Sequence, residues 1–388
     1  MNALARATGS VVMLEYRQDT DDSHAQSPAN RRDEMLSASV SQSMSQSASD
    51  AQSNSAPLSV SVVVPCFNEE RFIGEVLENL ARQGDEGRFE IIVVDGMSTD
   101  STRAVVERFI ASHPKACVRL VDNPARNIPA ALNRGIEAAR APFIARMDAH
   151  AVPSANYLRD CLAQLRRQEV SVVGMPCRIR PGADTAVARA NAVAVSHPFG
   201  IGDAKYRTAT GGTSSSQFVD TVPFGVFTKE LWQQLGGYNE ELLTNEDYDF
   251  NYRVRLRGGG VLLDTSGYCT YFARPTFATL ARQYFRYGVW KARMVKLHPR
   301  SIKPRQLVAP AFVSALVVLS ALSFLIAPAR WLLALMLVAY ALLSLASALQ
   351  LARREHDLKL LPLLPLSFLL IHLTWGGGFL LGLLRAPR

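Results

Sequence analysis

Residues Val60 to Glu70 read VSVVVPCFNEE, a β-branched run that stops at a proline and continues into polar residues. Such a run predicts a buried strand followed by a loop. Four similar runs follow it: Phe89 to Asp95, Val118 to Asp122, Phe143 to Asp148 and Val170 to Gly174. Helix-like segments lie between the runs: Arg71 to Gln83, Ser101 to Ser112, Pro129 to Arg140 and Ser154 to Gln168. This alternation predicts an α/β fold with a mostly parallel sheet and helices on both faces, because parallel strands need crossover connections.

Polar residues follow the predicted strands at their carboxyl ends. Pro65 to Glu70 follow the first strand, Asp95 ends the second and Asp148 ends the fourth. Ligands of such sheets bind beyond these strand ends. We therefore expect a ligand site where these loops meet.

The last eighty positions of the 388-residue chain are strongly apolar. Residues 306–388 contain three apolar stretches, 308–327, 331–351 and 360–384, each near the ~20 residues that span a bilayer. They predict C-terminal transmembrane helices. In the third stretch, Pro362, Pro365 and the glycines 376–378 leave a kinked or re-entrant segment as the alternative.

The formal charge of +8 is concentrated just before this apolar region, so it indicates a membrane surface rather than nucleic acid. Residues 276–305 are basic and aromatic and predict an interfacial helical segment. Basic residues lie before the first span and between the second and third: Lys296, Arg300, Lys303, Arg305, Arg353, Arg354 and Lys359. They outnumber Arg330 on the opposite side, which predicts that the globular domain is cytoplasmic.

The N-terminal residues 1–57 are rich in serine and lack the layout of a signal peptide. They predict a disordered tail that precedes the globular domain at 58–275. The five cysteines show no metal-ligand or redox spacing, which indicates reduced thiols in the cytosol.

Four motifs in order decide the functional class. They are Val64-Pro65-Cys66-Phe67-Asn68-Glu69-Glu70, Val94-Asp95-Gly96-Met97-Ser98-Thr99-Asp100, Arg146-Met147-Asp148-Ala149-His150 and Asn245-Glu246-Asp247. Together they resemble the family 2 glycosyltransferases, in particular enzymes of bacterial exopolysaccharide assembly. The resemblance covers about Ser59 to Tyr287 and implies a GT-A fold, a nucleotide-sugar donor and a bacterial inner-membrane location.

The resemblance also implies roles in donor binding. Asp95 would accept a hydrogen bond from the base of a uridine nucleotide, and Pro65, Phe67 and Glu69 would line the same pocket. Asp95 is otherwise a turn residue. Asn133 fits a family position for the nucleotide sugar, with helix capping or packing as the alternative.

Asp148 and His150 stand where the family usually has two carboxylates one residue apart. Asp148 is suited to Mg²⁺ or Mn²⁺, whereas the nitrogen of His150 suits Mn²⁺ better than Mg²⁺. The resemblance therefore implies a divalent ion on the diphosphate, held by Asp148 and His150. The alternative is that His150 touches the donor while Asp148 holds the ion largely alone.

Glu246 and Asp247 begin a predicted helix, where its dipole also favours acidic residues. The resemblance implies that Asp247 is the general base, with Glu246 positioning it or the acceptor. Gln283-Tyr284-Phe285-Arg286-Tyr287 resembles the Gln-x-x-Arg-Trp element of polysaccharide synthases, with Tyr287 replacing the tryptophan. Arg286 is therefore expected near the diphosphate, or near lipid headgroups.

These inferences predict an inverting hexosyltransferase, moving glucose from UDP-glucose to a lipid-linked oligosaccharide. A processive polysaccharide synthase is the nearest rival, although three spans are few for a polymer channel. A catalytically silent nucleotide-sugar-binding membrane protein is the rival from another class. Apolar spans without interrupting charges disfavour a transporter.

Overall fold

The computed structural model describes residues 58–83, 89–167, 169–209, 211–212 and 215–385. The predicted N-terminal tail lies outside these residues. The strands in chain order are β1 Val60–Cys66, β2 Phe89–Asp95, β3 Cys117–Asp122, β4 Phe143–Arg146, β5 Val152–Pro153, β6 Val170–Gly174, β7 Cys177–Pro181, β8 Ser216–Phe218, β9 Val226–Thr228, β10 Gly260–Asp264 and β11 Cys269–Ala273. All five predicted runs form strands.

The helices lie between and after these strands. They are α1 Ile73–Ala81, α2 Thr102–Ser112, α3 Ile128–Ala138, α4 Tyr157–Leu165, α5 Ala186–Ala194, α6 Pro198–Ile201, α7 Lys205–Thr208, α8 Lys229–Leu235, α9 Glu246–Leu256, α10 Phe277–Leu297, α11 Val308–Leu322, α12 Ala327–Arg354 and α13 Leu363–Leu384. Two 3-10 turns, Pro299–Ser301 and Pro304–Gln306, connect α10 to α11, and a third, Leu358–Leu360, precedes α13. The four helix-like segments predicted between the first strands each overlap a helix, and the third helix begins one residue before its predicted segment.

The described strands form an eight-stranded sheet in the order β3-β2-β1-β4-β9-β6-β10-β8 and a three-stranded sheet β5-β11-β7. In the larger sheet β9 and β8 run antiparallel to their neighbours, and the remaining strands are parallel. This confirms the predicted α/β class with a mostly parallel sheet. Because β1 lies between β2 and β4, the loops after these three strands meet at one edge of the sheet.

The sheet is covered on both faces, as its residue alternation requires. Val62 and Val64 pack with α1 and α2 in one apolar cluster, whereas Val63 packs with α3 and with Phe250 of α9 in another. Successive strand residues point to opposite faces, so the continuous valine run is buried on both. This packing fixes the start of α9 against the sheet.

Three C-terminal helices are long and apolar enough to cross a membrane: Pro304–Leu322, Ala327–Arg354 and Leu363–Leu384. They overlap the three predicted apolar stretches. Most of the first two is uncovered by protein, as expected of a lipid-facing surface. The third, α13, is a continuous helix through its glycines.

The helix α13 packs against the globular part of the chain. Phe368 is fully buried in a cluster with alanines of α5, and Ser367 Oγ donates to Asn191 Oδ1 at 3.0 Å. A Cβ on Gly378 would lie 2.3 Å from the carbonyl oxygen of Phe285, so only glycine permits the contact between α13 and α10. The predicted interfacial helix therefore lies along α13.

Candidate active site

The loops after β1 and β2 interlock at the carboxyl edge of the sheet. Asn68 accepts a hydrogen bond from Thr99 N at 2.8 Å, and its own N–H donates to Ser98 Oγ at 2.9 Å. Asn68 and Met97 adopt left-handed backbone conformations, with φ of 55° and 62°. Such conformations are costly for non-glycine residues and occur at binding sites. The loops leave the ring of Phe67 about half exposed beside the buried Pro65.

Asp95 is fully buried at the end of β2. It accepts hydrogen bonds from Ser98 N at 3.1 Å and Ser98 Oγ at 2.5 Å, and it forms an ion pair with Arg103 Nη1 at 2.8 Å. Arg103 also contacts Asp122 at 2.7 Å. Both oxygens of Asp95 are thus engaged by the protein, which holds the turn in place beside Phe67.

Asp148 and His150 lie in the loop after β4, and Glu69 of the β1 loop reaches them. His150 Nδ1 is 2.9 Å from Glu69 Oε1. The side chains of Asp148, His150 and Glu69 are each between one fifth and one third exposed. Glu69 is therefore brought to the predicted metal residues, a contact that the motif spacing did not indicate.

The charge on His150 follows from these neighbours. Burial lowers its pKa, but the hydrogen bond to Glu69 and the carboxylate of Asp148 outweigh burial and raise the pKa above the ordinary value, while Arg274 opposes them. Arg274 thus lies within electrostatic reach of His150, on the segment after β11. It is a cation near the loop of Asp148 and His150 that the motifs did not single out.

Arg146 joins the β4 loop to the start of α9. Its Nη2 lies 2.8 Å from Glu246 Oε1 and 3.3 Å from Asp148 Oδ1. The Arg146 side chain is 8% exposed, and its Nε and Nη1 are buried without a hydrogen-bond partner. Burial lowers the pKa of Arg146, but Glu246, Asp148 and Asp247 raise it well above the usual value.

Glu246 and Asp247 begin α9, next to Asn245 in a left-handed conformation with φ of 70°. Glu246 is 5% exposed. Burial raises its pKa to about 7 although Arg146 opposes the shift, and Asp247 adds to it. Asp247 accepts a hydrogen bond from Tyr248 N at 2.7 Å and lines a small cavity with Arg146, Tyr238 and Asn251.

Arg207 of α7 is a second cation of this region that the motifs did not indicate. Its Nη1 contacts the hydroxyl of Tyr284 at 3.4 Å, and its guanidinium lies 5.3 Å from the ring centre of Tyr271. Burial lowers its pKa, but the tyrosines around it raise it well above the usual value. Burial raises the pKa of Cys177 to about 12; Arg207 opposes that shift, and Asp148 and Asp247 reinforce it. Arg207 and both carboxylates therefore lie within electrostatic reach of the same thiol.

Two predicted site residues lie apart from this constellation. Asn133 donates to Tyr238 O and Glu240 Oε1, each at 2.9 Å, and accepts from Tyr238 N at 2.8 Å and Trp232 Nε1 at 3.1 Å. Its amide has no capacity left for a nucleotide. Its side chain instead fixes the loop after α8, which is the packing alternative.

Arg286 is exposed on α10, whereas its neighbours Gln283 and Tyr284 are buried. Gln283 Nε2 donates to Tyr271 OH at 3.0 Å and Tyr287 OH at 3.1 Å. The buried side of the Gln-x-x-Arg-like element thus lies toward Tyr271 and Arg207. Arg286 lies on the exposed side. The structure does not bring Arg286 to Asp148.

The chemistry of the site fits a divalent ion with few protein ligands. Among the described residues, no group of three or more His, Cys, Asp or Glu side chains is arranged to hold a metal. Asp148 offers a partly exposed oxygen, and the contact of Glu69 with Nδ1 leaves His150 Nε2 as the ring atom available to an ion. Metal-ligating histidines commonly use their other nitrogen in this way.

Comparisons with known proteins agree with this geometry. The family model described as Glycosyl transferase family 2 matches residues 61–219. The succinoglycan biosynthesis protein ExoA of Rhizobium meliloti strain 1021 is 27% identical over 324 residues, which is 82% of this chain and 93% of ExoA. A dolichyl N-acetyl-alpha-D-glucosaminyl phosphate 3-beta-D-2,3-diacetamido-2,3-dideoxy-beta-D-glucuronosyltransferase of Methanococcus voltae is 25% identical over 242 residues, 61% of this chain and 74% of that protein.

A solved structure supports the fold. The mannosyltransferase PcManGT of Pyrobaculum calidifontis, in complex with GDP-Man and Mn²⁺, superimposes with a TM-score of 0.54 at 22% identity, covering 82% of this chain and 87% of that one. This likeness confirms the GT-A-like sheet. The sequence motifs, the fold and the relatives therefore agree that residues 61–219 form a family 2 glycosyltransferase domain, an enzyme domain that transfers a sugar from a nucleotide sugar.

Proposed function

We propose that the enzyme transfers one hexose, glucose from UDP-glucose, to a lipid-linked oligosaccharide with inversion at the anomeric carbon. The observation that carries the proposal is the bridge of Arg146 between Asp148 and Glu246. It joins the loop that faces a donor to the helix that begins with the predicted base. ExoA is named for succinoglycan biosynthesis, which supports a role in polysaccharide assembly. The name of the second relative includes a dolichyl-linked sugar, which supports a lipid-linked acceptor.

On this proposal, the uracil base lies against the exposed ring of Phe67, between Pro65 and the Asp95 turn. The donor diphosphate lies near Asp148, His150 and Arg274. Asp148 and His150 Nε2 would hold the divalent ion, which neutralises charge developing on the leaving diphosphate. Glu69 orients His150 through the hydrogen bond to Nδ1.

Asp247 acts as general base on the acceptor. It takes the proton of the acceptor hydroxyl as that oxygen attacks the anomeric carbon, and the bond from this carbon to the diphosphate oxygen breaks with its electron pair leaving on UDP. Arg146 lies against Asp148 and Glu246 and offsets part of the negative charge of this group of carboxylates. Glu246, held by Arg146, fixes the start of α9 and with it the position of Asp247.

We further propose that the catalytic domain faces the cytoplasm of a bacterium, with the three apolar helices in the inner membrane. The test of the whole proposal is to incubate the solubilised protein with a panel of nucleotide sugars and polyprenyl-diphosphate sugars. We expect UDP release and a product heavier by one hexose. A ladder of products would indicate a processive synthase, and nucleotide binding without UDP release under any acceptor would indicate a silent binding protein.

A further inference from the structure

A cluster of basic side chains lies between α9, α10 and the 3-10 turns that lead into α11. Lys291 and Ser301 are its buried members, with 2% and 1% exposure. Arg255, Lys303 and Arg305 are half-buried at its rim, and each acts electrostatically on Lys291. We call these five residues the juxtamembrane basic cluster.

The cluster carries more positive charge than its surroundings neutralise. Asp220 is the carboxylate that faces it: Arg305 Nη2 contacts Asp220 Oδ2 at 2.6 Å, and Arg255 Nε donates to the Asp220 carbonyl at 3.1 Å. Among the described residues, Asp220 is the one carboxylate that forms an ion pair with this group of four basic side chains. Buried charges without balancing partners are costly, so the arrangement favours an added anion.

Three buried donors of the cluster have no hydrogen-bond partner: Lys291 Nζ, Arg255 Nη2 and Ser301 Oγ. The ammonium of Lys291 lies 3.4 Å from the ring centre of Tyr248, so the aromatic face offsets part of its charge. Nevertheless, a ring face does not supply the acceptor oxygens that an ammonium, a guanidinium and a hydroxyl require together. A phosphate or diphosphate offers several such oxygens.

The position of the cluster relates it to the proposed reaction. Tyr248 is adjacent to Asp247 on α9, and its hydroxyl donates to Ser301 O at 2.7 Å. The turns that contain Ser301, Lys303 and Arg305 lead directly into the first apolar helix. An anion bound here is therefore near both the start of a membrane segment and the helix that carries the predicted base.

We propose that the juxtamembrane basic cluster binds the phosphate or diphosphate group of a lipid at the membrane surface, with Lys291, Arg255 and Ser301 as the contacting residues. If the lipid is the acceptor, its diphosphate is held beside α9 and its sugar extends toward Asp247; this assignment rests on the proposed function. If it is a membrane phospholipid, the cluster fixes the catalytic domain on the bilayer. The shared chemistry is a lipid-borne phosphate.

The test uses the full chain in detergent or in nanodiscs, with farnesyl diphosphate and inorganic pyrophosphate as probes. The variants are Lys291→Met, Ser301→Ala and the control Arg300→Gln, which removes an exposed charge from the same segment. We expect farnesyl diphosphate affinity to fall about tenfold or more in Lys291→Met, to fall less in Ser301→Ala and to change less than about twofold in Arg300→Gln. UDP binding, measured alongside, reports whether each variant is folded.

A competition experiment in phosphatidylcholine nanodiscs distinguishes an acceptor lipid from a phospholipid headgroup as the bound ligand. Farnesyl diphosphate that binds more tightly than pyrophosphate and resists phosphatidylglycerol indicates the acceptor lipid, whereas displacement by phosphatidylglycerol indicates a headgroup site. Equal binding by Lys291→Met and wild type, or no binding by a wild type that still binds UDP, overturns the proposal. Lysine-dependent binding without sugar transfer to any acceptor would instead count against the proposed function alone.

Discussion

Arg146 Nη2 forms an ion pair with Glu246 Oε1 at 2.8 Å, inside the protein and between two segments about one hundred residues apart in sequence. The contact unites two motifs that the sequence shows separately, and the remaining nitrogens of Arg146 face no other hydrogen-bond partner. Removing the guanidinium would leave Glu246 buried beside two further carboxylates.

Arg146→Met should therefore destabilise the protein by about 3–5 kcal/mol, the usual cost of breaking a buried ion pair, and should abolish transfer. Thermal unfolding in detergent measures the first effect and UDP release the second. Arg140→Met, which removes an exposed arginine after α3, is the matched control. Equal melting temperatures for the two variants would show that the buried pair does not stabilise the fold.

Asp247→Asn should retain UDP affinity and lose transfer by about 10²–10⁴-fold in kcat, because asparagine cannot accept the acceptor proton. Isothermal titration with UDP and a product assay separate the two properties. Glu230→Gln, an exposed change on α8, serves as control. Near-normal turnover of Asp247→Asn would remove this residue from the base role.

Chelation should abolish transfer, and Mn²⁺ should restore it better than Mg²⁺ because a histidine nitrogen is among the proposed ligands. His150→Asp should reverse that preference by restoring a pair of carboxylates. Glu69→Gln should weaken Mn²⁺ activation while retaining some transfer, since Glu69 orients the ring. Transfer that persists in excess chelator would contradict a metal-dependent reaction.

Asn133→Ala should lower stability by about 1–3 kcal/mol or more, since it leaves buried hydrogen-bond partners unpaired, and should leave the KM for the nucleotide sugar nearly unchanged. The four contacts of its amide are all with the protein. Melting temperature and donor titration measure the two effects. A raised KM for the nucleotide sugar with an unchanged melting temperature would indicate that Asn133 contacts the donor.

The lowered pKa of Lys291 should make the free energy of unfolding depend on pH. Burial lowers its pKa from 10.5 to about 7; Asp220 opposes the shift, and Arg305, Arg255 and Lys303 reinforce it, while the ring of Tyr248 covers the ammonium. Between these values the unfolded chain binds the proton more tightly, so stability rises as pH increases from about 7 to about 10. Lys291→Met lacks this proton and should show a weaker rise.

In detergent without added phosphate, Lys291→Met should therefore melt above wild type near pH 6, and the difference should shrink toward pH 10. Parallel melting curves at every pH would show that Lys291 has an ordinary pKa in the folded protein. A residue that lowers stability at neutral pH is expected where it serves binding rather than folding.

The fold class and the order of the elements were predictable because alternation of valine-rich runs with helical segments is a local property. The conjunction of Asp148, His150 and Asp247 was predictable only through the resemblance to a family. Arg146 stands within one of the motifs, two residues before Asp148, but the motif alone indicates no partner for its side chain. Its bond to Glu246 depends on how α9 packs against the sheet, which no local pattern encodes.

The same limit explains the other differences. Asn133 fits a family position, but its partners Trp232 and Glu240 lie about one hundred residues away, so its packing role was invisible in sequence. Arg286 belongs to a motif, but the packing of α10 against α13 decides which side of α10 is buried. Arg207 and Arg274 belong to no motif, and only the tertiary structure brings them near the site.

The contact of α13 with α5 and α10 has a practical consequence for preparing the enzyme. Phe368 and Ser367 belong to the same buried cluster as residues of the catalytic part, and Gly378 lies against Phe285. The last helix is thus not a detachable tether. Truncation before residue 306 would uncover this apolar face and yield aggregated protein rather than a water-soluble enzyme, so purification has to retain the complete C-terminal region in detergent or lipid.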